Sequence, residues 1–178
     1  MTPTTAGATS AVPIDQSALT RLVTMVIGLL KRIPDSLVAV VARFSIAAVF
    51  WNSGQTKVEG LVINIVNGEF ALGWPRLSES ALSLFQDEYK LPLIPPAFAA
   101  LMAATAEHLF PFLILLGLGT RFSAVALLGM TLVIQVFVYP GAYATHGTWA
   151  AVLLYLMVHG PGTLSVDHWL ARRNGLKH

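Results

Sequence analysis

Four apolar runs, each near the length at which an α-helix crosses a bilayer, constrain the fold of this 178-residue chain more than any other feature. A hydrocarbon core of about 30 Å takes about 20 mostly apolar residues as helix. The first run covers about 37–57 and follows IPDS, where Asp35 or Ser36 caps a helix start just after Pro34. The second, about 97–118, opens behind Pro95-Pro96 and closes on Gly117 and Gly119. The third, about 122–139, has Thr120 as its cap and Pro140-Gly141 as its stop. The fourth, Thr148 to His159, is short by itself and reaches spanning length only by continuing into GPGTL, to about 164. Composition agrees: 55% hydrophobic and 11% charged residues, with a mean hydropathy of +0.68, describe an integral membrane protein.

The rest of the chain sorts around these spans. Residues 1–16 are small, polar and proline-containing, and read as a disordered tail without the basic start of a signal peptide. Residues 17–33 carry Leu19, Leu22, Val23, Val26, Ile27 and Leu30 at helical spacing, flanked by Arg21, Lys31 and Arg32. That pattern suits an amphipathic helix lying in the membrane surface, because the apolar run between the cations is too short to cross. A loop of about 38 residues separates the first two spans, too long for a bare connector, and LSESALSLFQDEY within it reads as a short amphipathic helix. The membrane domain thus covers 35–170, with a tail at 171–178. The expected fold is an all-α four-helix membrane bundle with an interfacial helix and a long external loop.

Charge sets the orientation. Arg21, Lys31, Arg32, Arg121, Arg172, Arg173 and Lys177 fall on one side of the spans, against Lys57, Arg76 and Lys90 on the other. The positive-inside rule puts both termini in the cytoplasm of a bacterial inner membrane. A net charge of +2, scattered beside apolar runs, excludes a nucleic-acid surface. With no cysteine, the chain supplies no disulfide, thiolate metal site or iron–sulfur cluster. Redox chemistry here needs a bound cofactor or a partner.

An ionisable residue at mid-membrane costs about 2.5–3.5 kcal/mol on insertion scales, so Arg43, Glu107, His108 and His159 require partners. The helical rise puts Arg43 and Glu107 within about 6–8 Å in depth. They form a buried ion pair that fixes two helices, or they line a polar pocket for a quinone head group, a proton or a substrate, or Arg43 snorkels to the cytoplasmic headgroups. Arg43, Phe50, Gly54 and Lys57 share one helix face, and the small Gly54 leaves room for a neighbouring helix or a ligand. Lys57 reads as an anchor at the outer surface. His108 and His159 lie at comparable depth on two descending spans, the arrangement of a bis-histidine haem, but two histidines alone are weak support, and a hydrogen bond to a carbonyl or to Gln135 is the simpler role. Tyr139, Tyr143 and Trp149 read as an aromatic belt. Met102, Met130 and Met157, without cysteine, read as core filler, and no metal site is assigned.

Three strings carry a resemblance. RFSIAAVFWNSGQTKVEG holds Arg43, Gly54 and Lys57; EHLFPFLILLGLGTRFSAVALLGMTLVIQVFV holds Glu107, Gly117, Thr120 and Arg121; GPGTLSVDHWL holds Gly160, Pro161, Gly162, Ser165 and Asp167. In this order, from about Val41 to Leu170, they resemble the DoxX family of small bacterial membrane proteins. The resemblance implies a four-helix bundle and a link to one of several systems: quinone-reducing thiosulfate oxidation, membrane complexes against oxidative and thiol stress, or gene clusters for metal-binding peptides. It transfers no agreed catalytic set. The expected function is a membrane subunit or accessory of a quinone-linked or stress-response system, not a self-sufficient enzyme, with a protein partner in the bilayer and self-association left open. The alternative is a non-enzymatic transporter or membrane handler of metal ions or a metal-binding peptide.

Overall fold

The computed structural model describes residues 18–64 and 68–175, so the tail expected at 1–16 lies outside the described residues, as do residues 176–178. The chain divides into two units, residues 1–34 and 35–178. The first contains α1 (Ala18–Leu30), a helix with no buried residue. Its 13 residues span about 20 Å, short of a bilayer crossing.

In the second unit, three helices are long and apolar enough to cross a membrane: α2 (Asp35–Gln55), α4 (Pro96–Leu116), and α5 (Thr120–Val133) extended by a π-helical turn to Val138. α6 (Tyr143–His159) has 17 residues and packs against α5 and α2. It starts five residues before the expected Thr148 and stops at Gly160 instead of running into GPGTL. The extra length comes at its start, where a 3₁₀ turn at Pro140–Ala142 leads directly into the helix. Ile46, Ala47, Phe50, Ile114, Ala124, Leu127, Leu153 and Leu156 draw all four helices into one core. Lipid is as apolar as leucine, so helix contact here rests on close packing of small side chains, such as Ala39, Ala47 and Gly54 on α2 and Ala100 and Ala104 on α4.

The segment between α2 and α4 is more ordered than a loop. It begins with an antiparallel hairpin, β1 (Val58–Asn64) and β2 (Glu69–Leu77), with a register irregularity between Glu59 and Leu61. The β-branched run VINI and the alternation FALGW are strand-like, a signal masked in the sequence by the surrounding apolar runs. After it come α3 (Glu79–Ser83), capped by the Ser78 hydroxyl on Ala81 N–H, and a π-helical turn at Leu84–Tyr89. These two cover the expected amphipathic helix. Phe85 packs on Ala99 and Ala100 at the start of α4, with Leu77 and Leu82 beside it.

The opposite end is stitched by polar contacts. Asp167, at the start of α7 (Val166–Arg173), accepts from Gly119 N–H at 2.8 Å and Thr120 N–H at 3.0 Å, closing the exposed N-terminus of α5. The Ser36 and Thr163 hydroxyls meet at 2.8 Å. The expected tail thus begins as the last turn of a helix, with Arg172 and Arg173 at its C-terminal end.

Candidate functional site

The two spans α2 and α4 meet in a staggered way, and the stagger builds the site. The last turn of α2 lies against the middle of α4, so residues at the end of one span face residues halfway along the other. Gly54 makes this approach feasible: a Cβ there would sit 2.8 Å from His108 Cε1 and 3.1 Å from Glu107 Cβ. Lys57, just beyond α2, therefore stands level with the middle of α4.

Lys57 Nζ lies 2.8 Å from Glu107 Oε2, with both side chains almost fully buried. The contact is a buried ion pair. Ser53 completes the group. Its hydroxyl donates to Glu107 Oε1 at 3.3 Å and accepts from Lys57 Nζ at 3.1 Å, and its carbonyl takes a second bond from Nζ at 3.1 Å. Lys57 thus also caps the negative C-terminus of α2.

His108 stands beside this group with both ring nitrogens engaged. Nδ1 faces the Ala104 carbonyl at 2.7 Å, and Nε2 faces Gln55 Nε2 at 2.8 Å. A carbonyl only accepts, so the ring proton belongs on Nδ1. Gln55 Oε1 accepts from Ile63 N–H at 2.8 Å, so its amide nitrogen faces His108 and donates to Nε2. Trp51 packs edge-on against the imidazole and donates from its indole to the Ile63 carbonyl at 3.0 Å. Pro111, four residues past Glu107, removes the N–H that would bond the Glu107 carbonyl.

Beside His108 is a cavity of 450 Å³ between α2, α4 and the hairpin. Its walls are mainly apolar, from Trp51, Leu61, Leu101, Leu109 and Phe112, with Thr105, His108 and Arg76 as polar groups. A second cavity, of 740 Å³, lies at the stitched end, between Ser36, Arg121, His159 and Asp167.

The structure brings Gly54, Lys57, Glu107 and His108 together and places the other three sequence-derived candidates elsewhere. Arg43 does not pair with Glu107. Its guanidinium donates to the carbonyls of Ile114 at 2.8 Å, Pro161 at 3.1 Å, Leu164 at 2.6 Å and Leu115. It closes the C-terminus of α4, where Gly117, at φ 70°, turns the chain and leaves room for the guanidinium 3.0 Å from where a Cβ would be. Estimating depth from rise along each span fails because the two helices are offset, which lifts Arg43 away from Glu107 and brings Lys57 level with it. Lys57 is accordingly a buried ion-pair member and not a surface anchor. Gln135 bonds neither His108 nor His159; it accepts from His146 Nδ1 at 2.7 Å and donates to the Pro140 carbonyl. His159 stacks on Tyr155 and lines the larger cavity, while His108 lines the smaller one, so the two do not form a pair. Ser53, Gln55, Trp51 and the hairpin went unnoticed in the sequence. The spacing Trp51, Gln55, at one helical turn, was the available signal for Ile63's two partners.

Outside the spans, Tyr139 donates to Glu88 Oε1 and packs edge-on to Tyr89. The carboxylate beside it pushes the Tyr139 phenol above the ordinary tyrosine range, with burial adding to the effect. Among the described residues, no three His, Asp or Glu side chains converge as a metal site.

No curated protein and no solved structure matches the chain. The family model for DoxX matches residues 38–140, more than half of the sequence, and takes in α2, the hairpin, the Lys57–Glu107 pair, α4 and α5. This mostly helical membrane protein belongs to the DoxX family.

Proposed function

We propose that the chain is a four-crossing protein of a bacterial inner membrane, with cytoplasmic termini, that serves as a membrane subunit or accessory of a quinone-linked redox or stress-response system. α6 joins the other spans because its ends meet the two ends of α5, a helix of spanning length: His146 binds Gln135 at one end, and Arg121 reaches the Val158 carbonyl at the other. α1, basic at its flanks, lies in the cytoplasmic surface of the bilayer.

The observation that carries the functional reading is the cavity beside His108. It is mainly apolar, lies beside a membrane-length helix, and has a small set of polar groups in its lining, the usual make-up of a site for a lipophilic ligand. A quinone bound there supplies reversible two-electron, two-proton chemistry. Trp51 and Phe112 offer ring faces to the head group, and Thr105 and Arg76 offer donors to its oxygens. His108, held in one tautomer by Ala104 and Gln55, presents a fixed imidazole edge, and the Lys57–Ser53–Glu107 group behind it holds exchangeable protons out of water. Electrons come from a protein partner, since the chain has neither cysteine nor a Gly-rich nucleotide loop.

The expected result is that quinone co-extracts with protein purified in mild detergent and is lost from Leu109→Trp, which fills the cavity. Quinone-free protein whose vesicles take up divalent metal would instead favour the transporter reading.

A further inference from the structure

We infer that the β1–β2 hairpin is a lipid-contacting element, seated at the acyl–headgroup boundary of the leaflet on its own side, with Phe70, Leu72 and Trp74 among the acyl chains. Phe70 and Leu72 alternate on one face of β2, Trp74 follows in the stretch where the register is irregular, and the three are 65%, 84% and 84% exposed. From Phe70 to Pro75 the strand has no charge; its charged residues, Glu69 and Arg76, stand near its two ends.

The hairpin is held beside the spans by its bonds. Gln55, at the end of α2, bonds His108 of α4, and the hairpin starts after two further residues. Ile63 bonds back to both Trp51 and Gln55, which holds β1 alongside the last turn of the span instead of projecting it into water. Val58, Leu61, Pro75 and Leu77 share a cavity with Leu101, Thr105 and Leu109 of α4. Leu61, which lines that cavity, pairs across the ladder with Leu72, so the exposed face of β2 adjoins the surface of α4 at Leu72.

An open strand edge is expensive in hydrocarbon. Trp51 and Gln55 serve the free edge of β1 at Ile63, and Pro75 removes one donor from β2. The remaining groups of β2 need headgroups or interfacial water, which places the strand at the boundary and not deeper. Tryptophan is at home at that level.

A chain without cysteine suits the test, because a single introduced thiol is the only label site. Phe70→Cys, Leu72→Cys and Trp74→Cys would each carry a nitroxide in phosphatidylcholine–phosphatidylglycerol vesicles, with Leu132→Cys on the exposed face of α5 as the lipid reference and Asp87→Cys as the aqueous one. The ratio of collisions with oxygen to collisions with a water-soluble nickel chelate is expected to exceed that at Asp87 at all three sites and to stay below that at Leu132, which lies well inside a span. A ratio equal to that at Asp87 puts the face in water and overturns the inference. So do labels shielded from both reagents that broaden one another until unlabelled protein is added, since the face then belongs to a second copy. Three exposed positions give three independent readings should one variant fail to fold.

Discussion

At the residue level, the chain solves the same problem twice in different ways. Arg43 and Lys57 are both buried cations on one face of α2, yet only Lys57 has a carboxylate partner. Arg43 satisfies its planar fork with four carbonyls, two at the end of α4 and two in the turn after α6. That use depends on geometry, not only on charge. Arg43→Lys is therefore expected to lose nearly as much stability in detergent as Arg43→Gln, at least about 2 kcal/mol for bonds from a charged donor. Full rescue by lysine would show that charge alone matters. For the ion pair, Lys57→Met strands a buried carboxylate, at a cost of about 3–5 kcal/mol. Adding Glu107→Gln is expected to return much of that loss in thermal melts, while Glu107→Gln alone, which strands the buried Lys57 ammonium, is expected to cost a similar amount. A strictly additive double variant would mean that the two side chains do not interact. The residue types of this site were legible in the sequence, since buried charge in a span stands out. The pairing was not, because which cation meets Glu107 depends on the offset between two helices, and no periodicity along either one encodes it.

Among the elements, the segment between α2 and α4 gave least away and matters most. An alternating FALGW between apolar spans reads as loop, and only its pairing with β1, whose Ile63 bonds Trp51 and Gln55, makes it a hairpin against α2. By contrast, the start of α2, both ends of α4 and the stop after α5 were legible from Pro34, Pro95-Pro96, Gly117 and Pro140, because helix punctuation is local chemistry. The two π-helical turns, Leu84–Tyr89 and Ile134–Val138, had no such signal, and they face each other through Tyr89, Glu88 and Tyr139. This contact ties the loop segment to the end of α5. The phenol of Tyr139 has its proton held by Glu88, which raises it above the ordinary value near about 10. A raised acid favours the folded state while protonated, so the contact is fully present below that ordinary value and is lost as pH climbs through the higher folded one. Proteolysis within residues 79–95 is expected to stay flat across neutral pH and rise only in strong alkali, whereas Tyr139→Phe should be cleaved faster at every pH. Equal cleavage of variant and wild type at neutral pH would remove the tie.

For the whole molecule, the decisive question is whether α6 crosses. Length alone argues weakly for it: 17 residues give about 26 Å, a little under the hydrocarbon thickness. Position argues better, since its two ends are bonded to opposite ends of α5, and the turn after it supplies Asp167 to the N-terminus of α5. Burial of Lys57 also sharpens the charge asymmetry that sets orientation. With Lys57 withdrawn into an ion pair, the hairpin side keeps only Arg76 and Lys90 as exposed cations, against Arg121, Arg172 and Arg173 at the stitched end. Three crossings then separate Asp87 from Arg172, and two if α6 does not span. Both positions are exposed, and a cysteine at either is unique in the chain. In intact cells, a membrane-impermeant maleimide is expected to label Asp87→Cys at once and Arg172→Cys only after the membrane is opened. Labelling of both, or of neither, before opening would put the two sites on one side and leave α6 as a helix packed on the spans without being one of them; the reverse pattern would keep four crossings but turn the molecule over, with the hairpin in the cytoplasmic leaflet and the cavity beside His108 opening toward it.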